Sequence, residues 1–450
     1  MKNRIIKIFI LSISGLLFGC EGFLDPKPDQ GLLTPSSLDD VQLLLDNTDV
    51  FNRQAMLINI SADDFWTTSE AYQGMNVLEQ GAYLWLEDPY QGSNILDWEV
   101  AYRQIFYANV ALETLENYTG VELERAEELR GMALFYKSYA YFHLLQQFAP
   151  PYQRNGANDE LLGIILRERA EINDPSERAS LANSYEGLLR DLEEAVNLLP
   201  SNTGLKTRPS QAAGYGLLAR VYLTMFDYEK AGNAAEIALQ QYSERLDFNS
   251  LNIGSLRPFE RFGPETVFYS ILHSHAFSRG AQTYVDSLLI QSYEEGDLRK
   301  QAYFNLRDEG LFNMTGHHTG STLVFGGLTV GELQLIAAES FARMGNEALA
   351  LTYLNELLET RYQTEMWNPL EDLTGDELLN RILLERRKEL VGRGIRWTDL
   401  RRLNQEEGFE KELVRVLDGQ EFRLEPGSNA YVFPIPDNEI IRSGVDQNPR

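Results

Sequence analysis

The chain has 450 residues, with 67 acidic against 40 basic side chains, a formal net charge of −27 and a single cysteine. So acidic a surface repels phosphate backbones and anionic lipid headgroups, which argues against nucleic-acid binding and against electrostatic attachment to a membrane. One cysteine cannot form a disulfide framework within the chain.

The first 19 residues have the pattern of a secretory signal peptide. Three basic residues precede an apolar run over 8–18, and Gly19 and Cys20 follow. The run is shorter than the roughly 20 apolar residues that a spanning helix needs. A cysteine directly after the cleavage site is typical of a bacterial lipoprotein, so we expect Cys20 to become the first residue and to be acylated. The alternative is an unmodified thiol beside an ordinary cleavage site.

Helical periodicity is the dominant signal in the rest of the chain. Between 209 and 238, large apolar residues mark one helix face and alanines mark the next, with a break at Asp227. A second copy spans 338–357, and a looser pair joins 121–148 to 185–199. Such faces let two antiparallel helices approach closely, which is the tetratricopeptide pattern. The sequence therefore predicts a mainly α fold on a tetratricopeptide-like helix-pair scaffold, although any helical hairpin shows similar spacing.

Two long irregular insertions interrupt these helices. Residues 61–98 are rich in Trp, Tyr, Gly and Asp, and residues 246–327 contain Pro, Gly, many aromatics and four of the five histidines. Long insertions of this kind usually carry function. We therefore divide the chain into a signal peptide (1–19), an N-terminal region with helix pairs and the first insertion (20–245), and a C-terminal region with the second insertion, further helix pairs and the final motifs (246–450).

Dense motifs close the chain. The charged run Glu-Arg-Arg-Lys-Glu-Leu at 385–390 ends a helix, and Gly392 and Gly394 are expected to permit a sharp stop. In the helix that follows, the spacing of Trp397, Leu400 and Leu403 predicts a buried apolar stripe. The charged side chains on the other faces of these helices can pair within and between helices. A Pro-locked extended segment at 431–436 must then pack onto the body.

Short motifs follow one another in order along nearly the whole chain. They are Phe23-Leu24-Asp25, Trp98-x3-Tyr102-x2-Ile105-x3-Asn109, Leu129-Arg130 to Phe148 with Pro151, Tyr293 through Asp297-Leu298-Arg299, the 385–390 run, Arg396-Trp397-x-Asp399-Leu400, and Phe433-Pro434-Ile435-Pro436 with Gln447-Asn448-Pro449. In this order, behind a lipoprotein signal, they resemble the SusD/RagB family of Bacteroidota surface lipoproteins.

The resemblance implies a SusD-like fold and a lipid-anchored position on the cell-surface side of the outer membrane. It also implies a SusC-like TonB-dependent transporter as partner, to which the protein delivers an oligomer, most often a glycan; the RagB branch leaves an oligopeptide as the alternative. The chain departs locally from the family, with Arg-Gly-Ile-Arg at 393–396 where many members have Glu-Gly-His-Arg. This departure weakens the inference of a starch-like cargo.

Catalytic and cofactor motifs give weak signals. Residues 214–219 match a dinucleotide fingerprint, but no strand precedes them and helix packing explains the glycines. Either His273 with His275 or His317 with His318 could contribute to a metal site, yet two histidines leave such a site incomplete. We therefore predict no metal, no cofactor and no enzymatic activity. A pure interaction scaffold and a surface glycoside hydrolase remain less favoured alternatives.

We expect the ligand to contact aromatic side chains of the insertions. A sugar ring packs its C–H face on an indole or phenol ring, while its hydroxyls need donors and acceptors. Because most aromatic residues are core residues, we expect only two or three candidates to contact ligand. Trp98, Tyr102, Trp397 and Tyr431 lie in the shared motifs and are assigned to structure. The predicted ligand-binding residues are Trp66, Tyr72, Trp85, Tyr90 and Asp64 in the first insertion and Phe259 and Tyr284 in the second.

Overall fold

The computed structural model describes residues 35–450, except for 56, 172, 174, 308 and 309. Residues 36–450 cluster as one unit. The predicted signal peptide and Cys20 lie outside the described residues. Within the described part of the chain, no helix is both long and apolar enough to cross a membrane.

Helices dominate the described residues, and side-chain caps fix where many of them begin. The carboxylate of Asp227 accepts a hydrogen bond from the Lys230 amide and so starts one helix; Asn346 starts another in the same way. The helices are α1 (Leu38–Leu45), α2 (Thr48–Phe51), α3 (Leu57–Ser61), α4 (Ser69–Gln73), α5 (Val77–Tyr83), α6 (Leu96–Glu116), α7 (Leu123–Phe148), α8 (Leu181–Leu198), α9 (Gln211–Thr224), α10 (Tyr228–Gln241), α11 (Ser287–Gln291), α12 (Arg299–Tyr303), α13 (Val330–Arg343), α14 (Glu347–Glu359), α15 (Gly375–Glu389), α16 (Arg396–Leu403) and α17 (Asp437–Ser443).

The predicted helix pairs are confirmed. Helices α9 and α10 pack against each other across a short turn, as do α13 and α14, and α7 packs on α8. The alanines predicted to face the partner helix in α10 are fully buried. Close approach also explains the glycines at 214–219, because a Cβ at Gly214 would lie 2.6 Å from Val196 Cγ1. These glycines therefore serve helix packing.

Short two-stranded ribbons lie between the helices of the described residues. Five are antiparallel, and the pair β1–β6 is parallel. The strands are β1 (Arg53–Gln54), β2 (Phe65–Thr67), β3 (Leu162–Ile165), β4 (Arg178–Ser180), β5 (Thr266–Phe268), β6 (Ile271–Leu272), β7 (Thr283–Val285), β8 (Phe304–Leu306), β9 (Phe312–Met314), β10 (Leu328–Thr329), β11 (Leu413–Leu417) and β12 (Gln420–Leu424), paired as β1–β6, β2–β7, β3–β4, β5–β10, β8–β9 and β11–β12.

The charged motif at the end of α15 is buried in an ion network. The guanidinium of Arg299 lies 2.5 Å from Glu385 and 3.4 Å from Glu389, and all three side chains are inaccessible to solvent. The ammonium of Lys388 lies 2.9 Å from Asp297. Buried charges are tolerated only when they are paired and hydrogen-bonded. The predicted pairing of these charges is therefore confirmed, and it occurs in the interior.

The closing segment packs onto the same region of the body. Gly392 and Gly394 both adopt left-handed backbone angles, with φ of 69° and 76°, which glycine accepts without strain. The Trp397 ring is fully buried and lies 4.7 Å from the Tyr431 ring. The Phe433 amide donates to the Gln147 carbonyl at the end of α7. The predicted structural roles of Trp397 and Tyr431 agree with this packing.

Candidate functional site

The two insertions meet in the ribbon β2–β7. Phe65 stands opposite Val285, Trp66 opposite Tyr284 and Thr67 opposite Thr283. Alternation along each strand buries the first and third positions and turns the middle one outward. The outward pair is Trp66 and Tyr284, whose ring centroids lie 5.0 Å apart at an interplanar angle of 42°. The structure thus joins one predicted ligand residue from each insertion into a half-buried ring pair.

An open cleft of about 470 Å³ lies beside this ring pair. We call it the aromatic cleft. Phe65, Trp66, Tyr83 and Trp85 supply its rings, and strand β11 also lines it, with Val414 and Val416 exposed. Its polar lining includes Asp63, Asp286 and Lys411. Aromatic surface with a few hydrogen-bonding groups is the usual composition of a small-molecule site.

The carboxylate of Asp63 is the electrostatic centre of the aromatic cleft. It lies 2.7 Å from Arg396 Nε and 2.6 Å from Lys411 Nζ. Burial opposes its ionisation, but Arg396, Arg387 and Lys411 outweigh that effect and hold the pKa of Asp63 well below its usual value. Asp63 is therefore an ionised acceptor at neutral pH.

Arg415 fixes the floor of the aromatic cleft. Its guanidinium carbon lies 3.7 Å from the centre of the Tyr83 ring and 5.1 Å from the Trp85 ring. It also donates to the carbonyls of Phe65 and Ala62, at 2.9 and 2.8 Å. The Trp85 indole donates to the Ser61 carbonyl at 3.0 Å. These contacts hold both rings in place before any ligand arrives.

The remaining predicted ligand residues make other contacts. Asp64 is buried beneath the cleft, where its carboxylate lies 3.3 Å from Arg387; burial raises its pKa above the usual value. Tyr72 is half-buried and packs 5.8 Å from the Tyr83 ring. Tyr90 is 2 % exposed and donates to the Pro434 carbonyl at 2.7 Å. Phe259 is buried, with its ring stacked on Tyr303.

A second cleft, of about 230 Å³, shares Phe65 with the aromatic cleft. We call it the arginine cleft. Arg279, Arg307 and Asn59 line it together with Thr283, the chain neighbour of Tyr284. Sequence reasoning missed these residues, because nothing local distinguishes an arginine that lines a cleft from one on an ordinary surface.

The histidine pairs considered from the sequence do not assemble a metal site in the described residues, where no group of three potential ligands lies close enough to hold an ion. His317 lines the arginine cleft, and burial lowers its pKa to about 4. Burial likewise lowers the pKa of His318, to about 3. Both rings are therefore neutral at pH 7.

Comparison with known families accounts for most of the chain. Residues 22–223 match a SusD-like family model described as starch-binding and associating with the outer membrane, and residues 330–450 match the model of the SusD family. The chain belongs to the SusD/RagB family. Between the two matches lie residues 224–329, which include Tyr284, Arg279 and Arg307.

Relatives extend this SusD-like assignment. SusD-like protein P2 from Formosa agariphila is 25 % identical over 422 residues, which cover 78 % of this chain and 79 % of the relative. A SusD superfamily structure from Bacteroides vulgatus has a TM-score of 0.75 at 22 % identity and covers 92 % of this chain and 99 % of its own. A laminarin-binding SusD-like protein has a TM-score of 0.66 at 17 % identity, covering 92 % and 98 %. At these identities the structural neighbours establish the fold.

Proposed function

We propose that this protein binds an oligosaccharide, and that the β2–β7 ring pair with the aromatic cleft is its binding site. The observation that carries the proposal is the joining of Trp66 and Tyr284, which come from different insertions and present adjacent half-buried rings. Among the structural neighbours are a protein described as a SusD-like carbohydrate binding protein and the laminarin-binding protein above.

The chemistry of the cleft suits a sugar. The C–H face of a pyranose packs on indole and phenol rings, while rim hydroxyls donate to carboxylates and accept from ammonium groups. Trp66 supplies such a ring, Asp63 an ionised acceptor and Lys411 a donor at the same opening. The cleft volume of about 470 Å³ falls within the usual range of about 300–1,000 Å³ for ligand pockets.

The site is proposed to work as a binder at the cell surface. In this proposal Cys20 carries the lipid anchor, the body lies at the outer face of the outer membrane, and the cargo passes to a SusC-like TonB-dependent transporter without being cleaved. Membership of the SusD/RagB family and the outer-membrane association in the family description support this role. The body begins at residue 36, so only a short segment separates it from the anchor.

The test is a binding screen with residues 21–450, which contain the whole body. A panel of neutral and acidic oligosaccharides and of oligopeptides is followed by calorimetry on the best ligand. We expect a glycan to bind, Trp66→Ala to weaken it at least tenfold, and the glycan to be recovered intact. Preference for a peptide would favour the RagB-type alternative, and cleaved glycan would contradict a purely binding role.

Trp367→Ala is the matched control for this substitution. Trp367 is also half-buried and packs on a tyrosine, the buried Tyr362, at 5.3 Å and 39°, and it lines neither cleft. The two variants remove the same side chain from similar packing. An equal loss of affinity in both would trace the effect to stability and would contradict the proposed site.

A further inference from the structure

The arginine cleft is positive in a chain that is strongly acidic. Its lining includes Arg279, Arg307 and His317 and no aspartate or glutamate among the described residues, whereas the aromatic cleft contains Asp63, Asp286 and Glu412. The chain as a whole has 67 acidic and 40 basic side chains. The described lining of the arginine cleft is therefore more positive than that of the aromatic cleft.

Arg279 and Arg307 are exposed, and within the described residues neither guanidinium has a hydrogen-bond or ion-pair partner. By contrast, Arg396 pairs with Asp63 and Arg387 with Asp64. Two unpartnered guanidinium groups in one small cleft repel each other, and an anion between them removes that repulsion.

His317 does not contribute charge. Burial and the nearby Arg257 lower its pKa to about 4, so its ring is neutral at pH 7. Arg279 and Arg307 therefore supply the positive charge of the described lining.

We propose that the cargo is an anionic oligosaccharide, and that Arg279 and Arg307 bind its carboxylate or sulfate groups. This inference rests on the proposed function and adds the class of sugar. Phe65 lines both the arginine cleft and the aromatic cleft, so the two clefts adjoin at this residue. An oligomer that extends across Phe65 would place a sugar ring in the aromatic cleft and an anionic group against the arginines.

The charge of the whole molecule explains why an acidic cargo needs these arginines. At a net charge of −27, an acidic oligomer is repelled at long range and gains affinity only where local cations outweigh that repulsion. A guanidinium group binds carboxylate or sulfate through two parallel N–H donors. A neutral glycan would need neither arginine.

The test compares matched ligands on residues 21–450. An oligogalacturonate is paired with its carboxyl-reduced form, and a sulfated oligosaccharide with its desulfated form. We expect one charged member to bind at least tenfold more tightly than its neutral partner, and sodium chloride to weaken that binding. The double variant R279Q/R307Q should lose at least tenfold for the charged ligand and less than twofold for the neutral one.

Arg442→Gln is the control for charge alone. Arg442 is exposed on α17, outside both clefts, and has no side-chain partner among the described residues. This variant should bind the charged and the neutral ligand as tightly as the wild type does. All variants should keep the wild-type Tm because the three arginines are exposed.

Three results would overturn the inference, each in a different way. Equal affinity for charged and neutral glycans, still lost in Trp66→Ala, would refute the anionic class and leave the proposed function standing. Arginine-dependent preference for acidic oligopeptides would refute the sugar. Absence of binding to every oligosaccharide would refute the proposed function together with the inference.

Discussion

Arg361 and Glu389 form a fully buried ion pair, with Nη2–Oε1 at 2.8 Å and Nε–Oε2 at 3.0 Å. Arg361 follows α14 and Glu389 ends α15, so the pair ties two helices together. Burial opposes ionisation of Glu389, but Arg361 and Arg299 outweigh it and lower its pKa to about 2. The same guanidinium reaches Glu265 at 2.7 Å and so connects the pair to the second insertion.

Removing one member of this pair should be strongly destabilising. Glu389→Gln leaves two buried guanidinium groups without a full countercharge, which costs about 3–5 kcal/mol in the free energy of unfolding. Urea denaturation measures the loss. Glu421→Gln is the control: it breaks an exposed, solvent-screened pair with Arg423 and should leave the free energy of unfolding nearly unchanged. If both variants lost the same free energy of unfolding, burial of the Arg361–Glu389 pair would not explain its importance for stability.

Tyr90→Phe should separate a structural tyrosine from a ligand contact. The variant keeps the ring but removes the hydroxyl that donates to the Pro434 carbonyl, leaving that carbonyl buried and unsatisfied. The expected loss is about 1–3 kcal/mol in the free energy of unfolding. Affinity for the cargo should stay within twofold of wild type by calorimetry. Weaker binding at unchanged stability would show that Tyr90 contributes to ligand binding.

Stability should fall as the pH drops below about 6.5. Burial lowers the pKa of His143 to about 3, of His318 to about 3 and of His317 to about 4. In the unfolded chain these rings titrate near 6.5, so between about pH 6.5 and 4 only the unfolded state takes up protons, which favours unfolding. Below about pH 4.5, protonation of paired carboxylates such as Glu339, with a pKa of about 2, acts in the same direction.

Thermal unfolding between pH 8 and pH 5 measures this effect. We expect a constant Tm above pH 7 and a progressive decrease below pH 6.5. His143→Gln removes one of the three titrating rings and should make the decrease shallower. A Tm that does not change from pH 7 to pH 5 would show that the folded state protonates these histidines as readily as the unfolded chain does.

Cys20→Ser should separate the protein from its membrane and leave the body folded. Cys20 lies outside the body formed by 36–450, so the substitution should not alter the Tm of the mature chain. Cell fractionation should find the variant released or unsorted, and growth on the cargo should be lost. Normal growth of a Cys20→Ser strain would refute the role of the anchor in uptake.

The helix pairs were predictable because their signal is local. Each helix repeats apolar residues at its own period, and the cap Asp227 stands at the predicted break between two helices. The ring pair was predictable only in part. Composition identified Trp66 and Tyr284 as candidates, but their pairing depends on a ribbon between distant segments, which no local pattern specifies.

Burial of the other candidates depended on partners far along the chain. Tyr90 is held by a carbonyl at position 434, and Phe259 by the ring of Tyr303. No sequence pattern marks Arg279 and Arg307, because the fold determines which carboxylates lie near an arginine and pair with it. Tertiary contacts of this kind determine which residues form a binding site, whereas local periodicity determines the helices of its scaffold.

The ribbon that joins Trp66 to Tyr284 also constrains how the protein can diversify. Its two strands come from insertions that the helices hold at fixed positions. The sequences of these short strands can therefore change during evolution while the helical scaffold stays the same. A new side chain at position 66, however, meets an old partner at 284 across the ribbon. Selection for a different nutrient should therefore act on these two positions together, as coordinated replacements.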